Sequence, residues 1–98
     1  MRQINISGLY KNKTILVTGA TRGIGKAIAS DLSQDGVKLL LTGTDENLIN
    51  ELNAKNTNTN IEWLLADFSL EKNIIDFVDK IIDKNVDICI NNAGVNII

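Results

Sequence analysis

A glycine-rich segment, residues 18–25, carries the clearest chemical signal in the sequence. Its glycines follow the spacing Gly-x-x-x-Gly-x-Gly, at Gly19, Gly23 and Gly25. Gly19 can turn the chain sharply, Gly23 lets backbone N–H groups approach a phosphate without a Cβ in the way, and Gly25 lets a helix pack closely on a sheet. A helix that begins here would direct unpaired N–H groups and the positive end of its dipole toward an anion. The segment is therefore predicted to hold a diphosphate.

The same glycines have a competing interpretation as a tight structural turn that binds nothing, since any strand-to-helix turn can use glycine. The flanking sequence favours a ligand site, because a strand is predicted before the loop and a helix after it. A Walker-type phosphate loop is excluded, since Gly25-Lys26 is followed by Ala27 and not by Ser or Thr.

Alternating strands and helices must position this loop. Apolar runs rich in Val, Ile and Leu predict buried strands over residues 14–18, 37–42, 61–66 and 86–91. Helices are predicted over residues 24–35, 45–54 and 71–84, and their buried sides would be formed by Ile24, Ala27, Ile28 and Leu32, by Leu48, Ile49 and Leu52, and by Ile74, Val78, Ile81 and Ile82. The order β-α-β-α-β-α-β indicates one α/β domain with a parallel sheet covered on both faces.

Turn chemistry supports these boundaries. Asn12 can take the turn before the first strand with a positive φ, and Gly36 is placed to end the first helix in the left-handed conformation. Asp45 and Ser69 are predicted to cap the second and third helices.

The composition argues against several classes of partner. Ten basic and 12 acidic residues give a net charge of −2, so neither nucleic acid nor a membrane surface is expected to bind. The single cysteine, Cys89, cannot form an internal disulfide, which favours a reducing cytoplasm. With no histidine in the chain to activate its thiol, Cys89 is predicted to be a core residue, and Trp63 is predicted to serve in packing.

Two separated segments, Thr18-Gly-Ala-Thr-Arg-Gly-Ile-Gly25 and Asn91-Asn-Ala-Gly94, resemble the signatures of the short-chain dehydrogenases/reductases. The resemblance runs from about Tyr10 to Val95 and is strongest to the reductases that act on 3-oxoacyl-[acyl-carrier-protein] in fatty-acid synthesis. It implies a Rossmann-type doubly wound parallel sheet of strand order 3-2-1-4 and the reduction of a carbonyl by a nicotinamide dinucleotide. Sugar-nucleotide epimerases fit less well, because they favour a Gly-x-x-Gly-x-x-Gly loop.

The resemblance also assigns roles to residues. Asp67, with Phe68, matches the position that hydrogen-bonds the adenine, although Asp67 could simply be a turn residue before Ser69. The segment lining the nicotinamide ribose matches Asn92, Ala93 and Gly94, and the preceding Asn91 is expected partly to stabilise the sheet. The diphosphate loop matches Gly19, Ala20, Thr21, Arg22, Gly23, Ile24 and Gly25.

The end of the second strand predicts NADP rather than NAD. An acidic residue there would accept a hydrogen bond from the ribose 2′-OH and repel a 2′-phosphate. This chain has Gly43 and Thr44 instead, and Arg22 can pair with a 2′-phosphate. Asp45 and Glu46 would oppose this choice, and we assign them to the start of the next helix.

The family's catalytic Ser and Tyr-x-x-x-Lys have no match here, since the only tyrosine, Tyr10, is followed four positions on by Thr14. No catalytic or metal-ligating residue is therefore predicted. We expect the cofactor half of a longer reductase, inactive alone; the alternatives are a non-catalytic dinucleotide-binding fragment and a remnant without a role. The fourth strand would then be an apolar edge, with Ile88 and Ile90 lacking a covering helix, so the chain alone should be marginally stable and self-associating. For the full-length protein, the resemblance implies a homo-oligomer with an acyl-carrier-protein-linked substrate.

Overall fold

A computed structural model describes residues 11–33, 36–69 and 71–92. In this part of the chain, four strands alternate with three helices, as predicted. The elements are β1 (Thr14–Val17), α1 (Gly23–Leu32), β2 (Lys38–Gly43), α2 (Glu46–Lys55), β3 (Ile61–Leu65), α3 (Glu71–Ile81) and β4 (Ile88–Ile90).

The four strands form one parallel sheet in the order β3-β2-β1-β4, which confirms the predicted order. Val17, the last residue of β1, is level with Leu41 of β2 and Ile90 of β4. The chain therefore winds outward from β1 to β3 and then crosses back to the other side of β1. In open α/β sheets, ligands bind where the strand order reverses in this way, outside the carboxyl ends of the strands. Here that place is the loop after β1.

Side chains alternate between the two faces along each strand, and each face carries a buried apolar cluster. One face carries Ile15, Val17, Leu39 and Leu41 and packs against Ala29 of α1. The opposite face has a second cluster, with Phe77 of α3 as its helical member and Leu16, Leu40, Leu64 and Ala66 as the others.

Helix α1 buries a different stripe from the one that its large apolar residues predict. Gly25 and Ala29 are buried, and Ile28 and Leu32 pack at the edge of the core, so the sheet-facing positions are i, i+3, i+4 and i+7 counted from residue 25. Ile24 is 72% exposed, and Ala27 is also exposed. The prediction was wrong for these two residues because a glycine, which contributes nothing to apolar periodicity, determines which side of α1 faces the sheet.

Helix α3 is also rotated relative to the prediction. Its buried residue is Phe77, which the predicted stripe omits, and Ile81 is the only predicted member that packs on the core among the described residues. The remaining predicted residues, Ile74, Val78 and Ile82, are exposed. The Phe77 ring fills the space over the sheet and meets the Phe68 ring edge-on, with centroids 5.3 Å apart. One large aromatic side chain thus fixes the rotation of a helix that has apolar residues on two sides.

The predicted turns are confirmed in part. The Asp45 carboxylate accepts hydrogen bonds from the Asn47 and Leu48 N–H groups and caps α2, whose inner side is formed as predicted by Leu48, Ile49 and Leu52. Asn12 has a φ of 65°. Gly36 is left-handed, but α1 already ends at Leu32 with Ser33 as its C-cap, so Gly36 does not cap it. Helix α3 begins at Glu71, and residue 70, between it and Ser69, lies outside the described residues. The cap at Ser69 therefore stays a prediction.

Strand β4 leaves a different face open from the one predicted. Ile88 and Ile90 are half-buried and pack against the cluster that α1 covers. Cys89 is exposed, so the prediction of a core cysteine was wrong. Cys89 is level with Leu16, on the face that carries α3, and β4 is the outermost strand on that side of the described sheet. Helix α3 packs over Leu16, Leu40 and Leu64 and leaves the thiol uncovered.

Asparagine side chains satisfy the outer edge of β3. The Asn53 amide donates to the Trp63 carbonyl (2.8 Å) and accepts from the Trp63 N–H (3.0 Å), as a neighbouring strand would. The Asn56 amide donates to the Ile61 carbonyl (2.7 Å). Unpaired groups on an edge strand invite pairing with another chain. The two asparagines therefore protect this edge, and the half-buried Trp63 packs against the core as predicted.

Replacing Asn53 with Ala should expose this edge. Two hydrogen bonds are lost, so the free energy of unfolding should fall by about 1–2 kcal/mol. Self-association should also rise, because the Trp63 N–H and carbonyl become available to a second chain. Urea unfolding followed by the fluorescence of Trp63, the only tryptophan, measures the first effect, and sedimentation velocity measures the second.

Asn50→Ala is the matched control, because Asn50 is exposed on the same helix. It should change stability by no more than about 0.5 kcal/mol. Equal effects of the two substitutions would show that Asn53 does not protect the edge.

Candidate cofactor-binding site

The loop after β1 is shaped by glycines in the left-handed region. Gly19 has a φ of 62° and Gly23 a φ of 64°. Side chains rarely tolerate this conformation, so both positions favour glycine. At Gly23 a Cβ would meet open space, which means that the backbone conformation, and not crowding, requires glycine there. The loop thus enters α1 with open space beside Gly23.

Gly25 is required for a different reason, which is close packing. A Cβ at this position would overlap the Gly19 carbonyl oxygen and would lie 2.6 Å from the Asn92 amide nitrogen. Any side chain would therefore push the first turn of α1 away from the end of β1. The predicted close approach of helix and sheet is present.

The start of the loop is fastened to β2. The Gly19 N–H donates to the Thr42 hydroxyl (3.2 Å), and the Ala20 N–H donates to the Thr42 carbonyl (2.8 Å). Ala20 and Thr42 are almost completely buried. These two N–H groups are therefore used inside the protein, and the donors left for a ligand come from Thr21 onward. Thr42 did not figure in the sequence prediction; its only signal is a hydroxyl among the leucines of β2.

The N-terminus of α1 is left open in a way that α2 is not. Arg22, the N-cap residue of α1, makes no side-chain capping bond, and the first turn has no acidic residue. Helix α2, by contrast, is capped by Asp45 and has Glu46 in its first turn. The first N–H groups of a helix have no partner within it, and they carry the positive end of its dipole. At α1 these groups face the loop without a carboxylate to satisfy them.

The end of β4 holds the strand-to-loop junction from the other side. The Thr18 hydroxyl donates to the Asn91 side-chain oxygen (3.1 Å) and accepts from the Asn92 N–H (2.9 Å). The Asn92 amide donates to the Gly19 carbonyl (3.1 Å). Asn91 therefore ties β4 to β1, as expected, and the Asn92 side chain fixes the loop. Ala93 and Gly94 lie outside the described residues.

The ends of β2 and β3 supply the remaining predicted site residues. Gly43 is buried and Thr44 is exposed. Because the carboxyl ends of parallel strands share one edge of the sheet, these residues and Asp67 lie on the same side as the loop. The structure therefore brings the described members of the predicted site to one edge.

Asp67 and Phe68 have structural contacts of their own. The Asp67 carboxylate accepts a hydrogen bond from the Ser69 N–H (3.1 Å), so its turn role is present. Hydrogen bonds from the Ser69 hydroxyl and N–H lower the pKa of Asp67 from its ordinary value of 3.8. The Phe68 ring meets Phe77 edge-on and remains 45% exposed.

Other site types find less support in the described residues. No group of three or more His, Cys, Asp or Glu side chains is placed to hold a metal ion in this part of the chain. A shallow depression is lined by Thr14, Lys38, Glu62 and Lys84, but it lies at the amino ends of the strands, opposite the loop. Within the described ranges, no helix has the length and apolar character needed to cross a membrane.

Comparison with known proteins gives a consistent result. An uncharacterized oxidoreductase of Staphylococcus epidermidis is 42% identical over 86 residues, which cover 86% of this chain and 37% of the relative. A 3-oxoacyl-[acyl-carrier-protein] reductase of Buchnera aphidicola is 37% identical over 87 residues, covering 87% of this chain and 35% of that protein. The chain thus spans little more than a third of the length of these curated relatives.

Solved structures agree with the sequence matches. A short chain dehydrogenase from Mycobacterium smegmatis superimposes with a TM-score of 0.74 at 25% identity, over 97% of this chain and 42% of that one. The model of the short chain dehydrogenase family matches residues 13–98, which include both the glycine loop and the Asn-Asn segment. The chain belongs to the short-chain dehydrogenase family.

Proposed function

We propose that this chain is the cofactor-binding half of an NADP-dependent carbonyl reductase. The observation that carries the proposal is the uncapped start of α1, held against the end of β1 by Gly25 and fastened by Thr42 and Asn92. The backbone N–H groups from Thr21 onward would hold the diphosphate, as helix N-termini commonly do with anions. Asp67 would accept from the adenine amine, and the segment from Asn92 would line the nicotinamide ribose. The bound dinucleotide would supply the hydride.

The preference for NADP rests on charge at the end of β2. Gly43 and Thr44 present no carboxylate to a 2′-phosphate. Arg22 is exposed and makes no ion pair with another described residue. Its backbone is extended where α1 begins. The nearest acid, Asp45, already accepts two backbone N–H groups of α2. A 2′-phosphate would therefore meet the exposed guanidinium of Arg22, while one oxygen of Asp45 is directed at the N–H groups of α2.

For the substrate we propose an acyl-carrier-protein thioester with a 3-oxo group, within a cytoplasmic homo-oligomer. This is supported by the identity to the Buchnera 3-oxoacyl-[acyl-carrier-protein] reductase and by a putative betaketoacyl-ACP reductase structure with a TM-score of 0.64 at 29% identity. The second candidate function is dinucleotide binding without turnover.

Arg22→Ala should weaken NADPH binding selectively. A lost charge-assisted contact is worth about 1.5–3 kcal/mol, which is a loss of roughly ten- to a hundredfold in NADPH affinity. Affinity for NADH should change little, because NADH has no 2′-phosphate. The measurement is a titration of the protein with each cofactor at low salt, followed by cofactor fluorescence. Lys72→Ala, which removes an exposed cation from α3, is the control and should leave both affinities unchanged. Equal affinity of the wild type for NADH and NADPH would rule out the preference.

Gly25→Ala should abolish the binding of both cofactors. On helix propensity alone, Ala would stabilise α1 by about 1 kcal/mol. The added Cβ instead overlaps the Gly19 carbonyl, so α1 must move and the thermal midpoint should fall. Lys26→Ala, at the exposed neighbouring position, controls for changes at this turn of the helix. A higher midpoint with intact NADPH binding would contradict the close approach of α1.

A turnover assay separates the two candidate functions. Wild-type protein in its full-length context is mixed with NADPH and a 3-oxoacyl thioester of acyl-carrier protein, and the loss of NADPH absorbance is followed. The reductase proposal expects consumption that depends on the thioester, whereas the 98-residue chain should bind NADPH without consuming it. Binding without consumption by the full-length protein would favour the non-catalytic candidate.

A further inference from the structure

The glycine loop and the end of β2 meet at one tight contact, between Thr21 and Gly43. A Cβ added to Gly43 would lie 2.5 Å from the Thr21 methyl carbon and 3.5 Å from its hydroxyl oxygen. It would also lie 3.2 Å from the terminal methyl of Ile49 in α2. Real Cβ atoms almost never approach another atom more closely than 3.0 Å. Any residue other than glycine at position 43 must therefore displace Thr21.

The backbone beside each partner in this contact is held by hydrogen bonds. Just before Thr21, the N–H groups of Gly19 and Ala20 are bonded to Thr42, and Ala20 is completely buried. The Gly43 carbonyl accepts from the Ala66 N–H at 2.8 Å, which fixes the end of β2 against the chain after β3. Thr21 is β-branched, so its side chain has few alternative rotamers. Ile49 can yield at the end of its long side chain, whereas Thr21 can yield only by changing its χ1 rotamer or by a shift of the loop.

The position of this contact gives it a consequence for ligand selection. Residue 43 is where an acidic side chain would have to stand to accept from a ribose 2′-OH. Thr21 is the first loop residue whose N–H is left for the diphosphate. A side chain at position 43 would thus enter the space of the residue next to the anion site. A side chain at position 43 would therefore affect both the space available to the loop and the charge beside the ribose.

We propose that Thr21 and Gly43 form a coupled specificity pair, in which the Thr21 side chain occupies the space that an acid at position 43 would need. The inference rests on the proposed dinucleotide site and adds to it that cofactor choice depends on both residues jointly. An acid at position 43 alone would distort the loop and weaken both cofactors. The same acid would select NADH only after Thr21 has been trimmed.

The test is a double-substitution cycle in the protein as it exists, with Thr21→Ala, Gly43→Asp and the combined variant. Urea unfolding and titrations with NADPH and NADH are measured for each. Gly43→Asp should lower both affinities by about tenfold or more and reduce stability. Adding Thr21→Ala should recover stability and give tighter binding of NADH than of NADPH.

Two single variants separate the steric effect of a side chain at position 43 from the effect of a negative charge at this strand end. Gly43→Ala adds only a Cβ, so it should weaken both cofactors without changing their ratio. Thr44→Asp adds a carboxylate at the adjacent exposed position, so it should weaken NADPH relative to NADH and leave the unfolding transition in place. The pair would be refuted if Gly43→Asp had the same effect with and without Thr21→Ala, or if it alone reversed the preference at full stability. A wild type that binds neither cofactor would refute the proposed function itself, while the unfolding cycle would still report whether the two residues are coupled.

Discussion

The site depends on one close approach, that of the first turn of α1 to the end of β1. Gly25 lies so near the Gly19 carbonyl and the Asn92 amide that a single added carbon cannot be accommodated. This contact fixes both the position and the rotation of the helix. It brings the open N–H groups to the crevice where the strand order reverses, and it turns Ala29 and Leu32 toward the sheet while Ile24 faces outward. The same contact therefore determines how α1 packs on the sheet and where its open N–H groups lie.

Short polar side chains keep this junction in place. Thr18, Asn91 and Asn92 link the ends of β1 and β4, and Thr42 links β2 to the loop. Each bond is worth only about 1 kcal/mol net, but the residues they hold belong to one continuous turn. A loop fixed before binding loses little conformational freedom when an anion arrives, which favours affinity. The residues that shape the site are consequently more numerous than those that would touch the ligand.

Element order and the glycine loop were predictable because apolar runs and glycine spacing are local features of the sequence, whereas the strand order was predicted from the family resemblance. The rotations of α1 and α3 were not predictable, because each is set by a single contact at long range. Gly25 has no side chain to enter a periodicity, and Phe77 competes with apolar residues on the other side of its helix. The exposure of Cys89 depends on what α3 covers, and the role of Thr42 depends on a loop that lies two dozen residues earlier. Local sequence contains neither fact.

Asp45 shows why the number of acidic residues near the end of β2 does not by itself determine cofactor choice. Asp45 is only two positions from Gly43, yet its carboxylate accepts the N–H groups of Asn47 and Leu48 and begins α2. Turning it toward a ribose would break those bonds, and an N-cap of this kind is worth about 1 kcal/mol. An acidic side chain at position 43 would overlap the Thr21 methyl, and Thr44 carries no charge. Helix capping thus directs one oxygen of the Asp45 carboxylate toward α2, and in the proposed pair the Thr21 side chain occupies the space beside position 43.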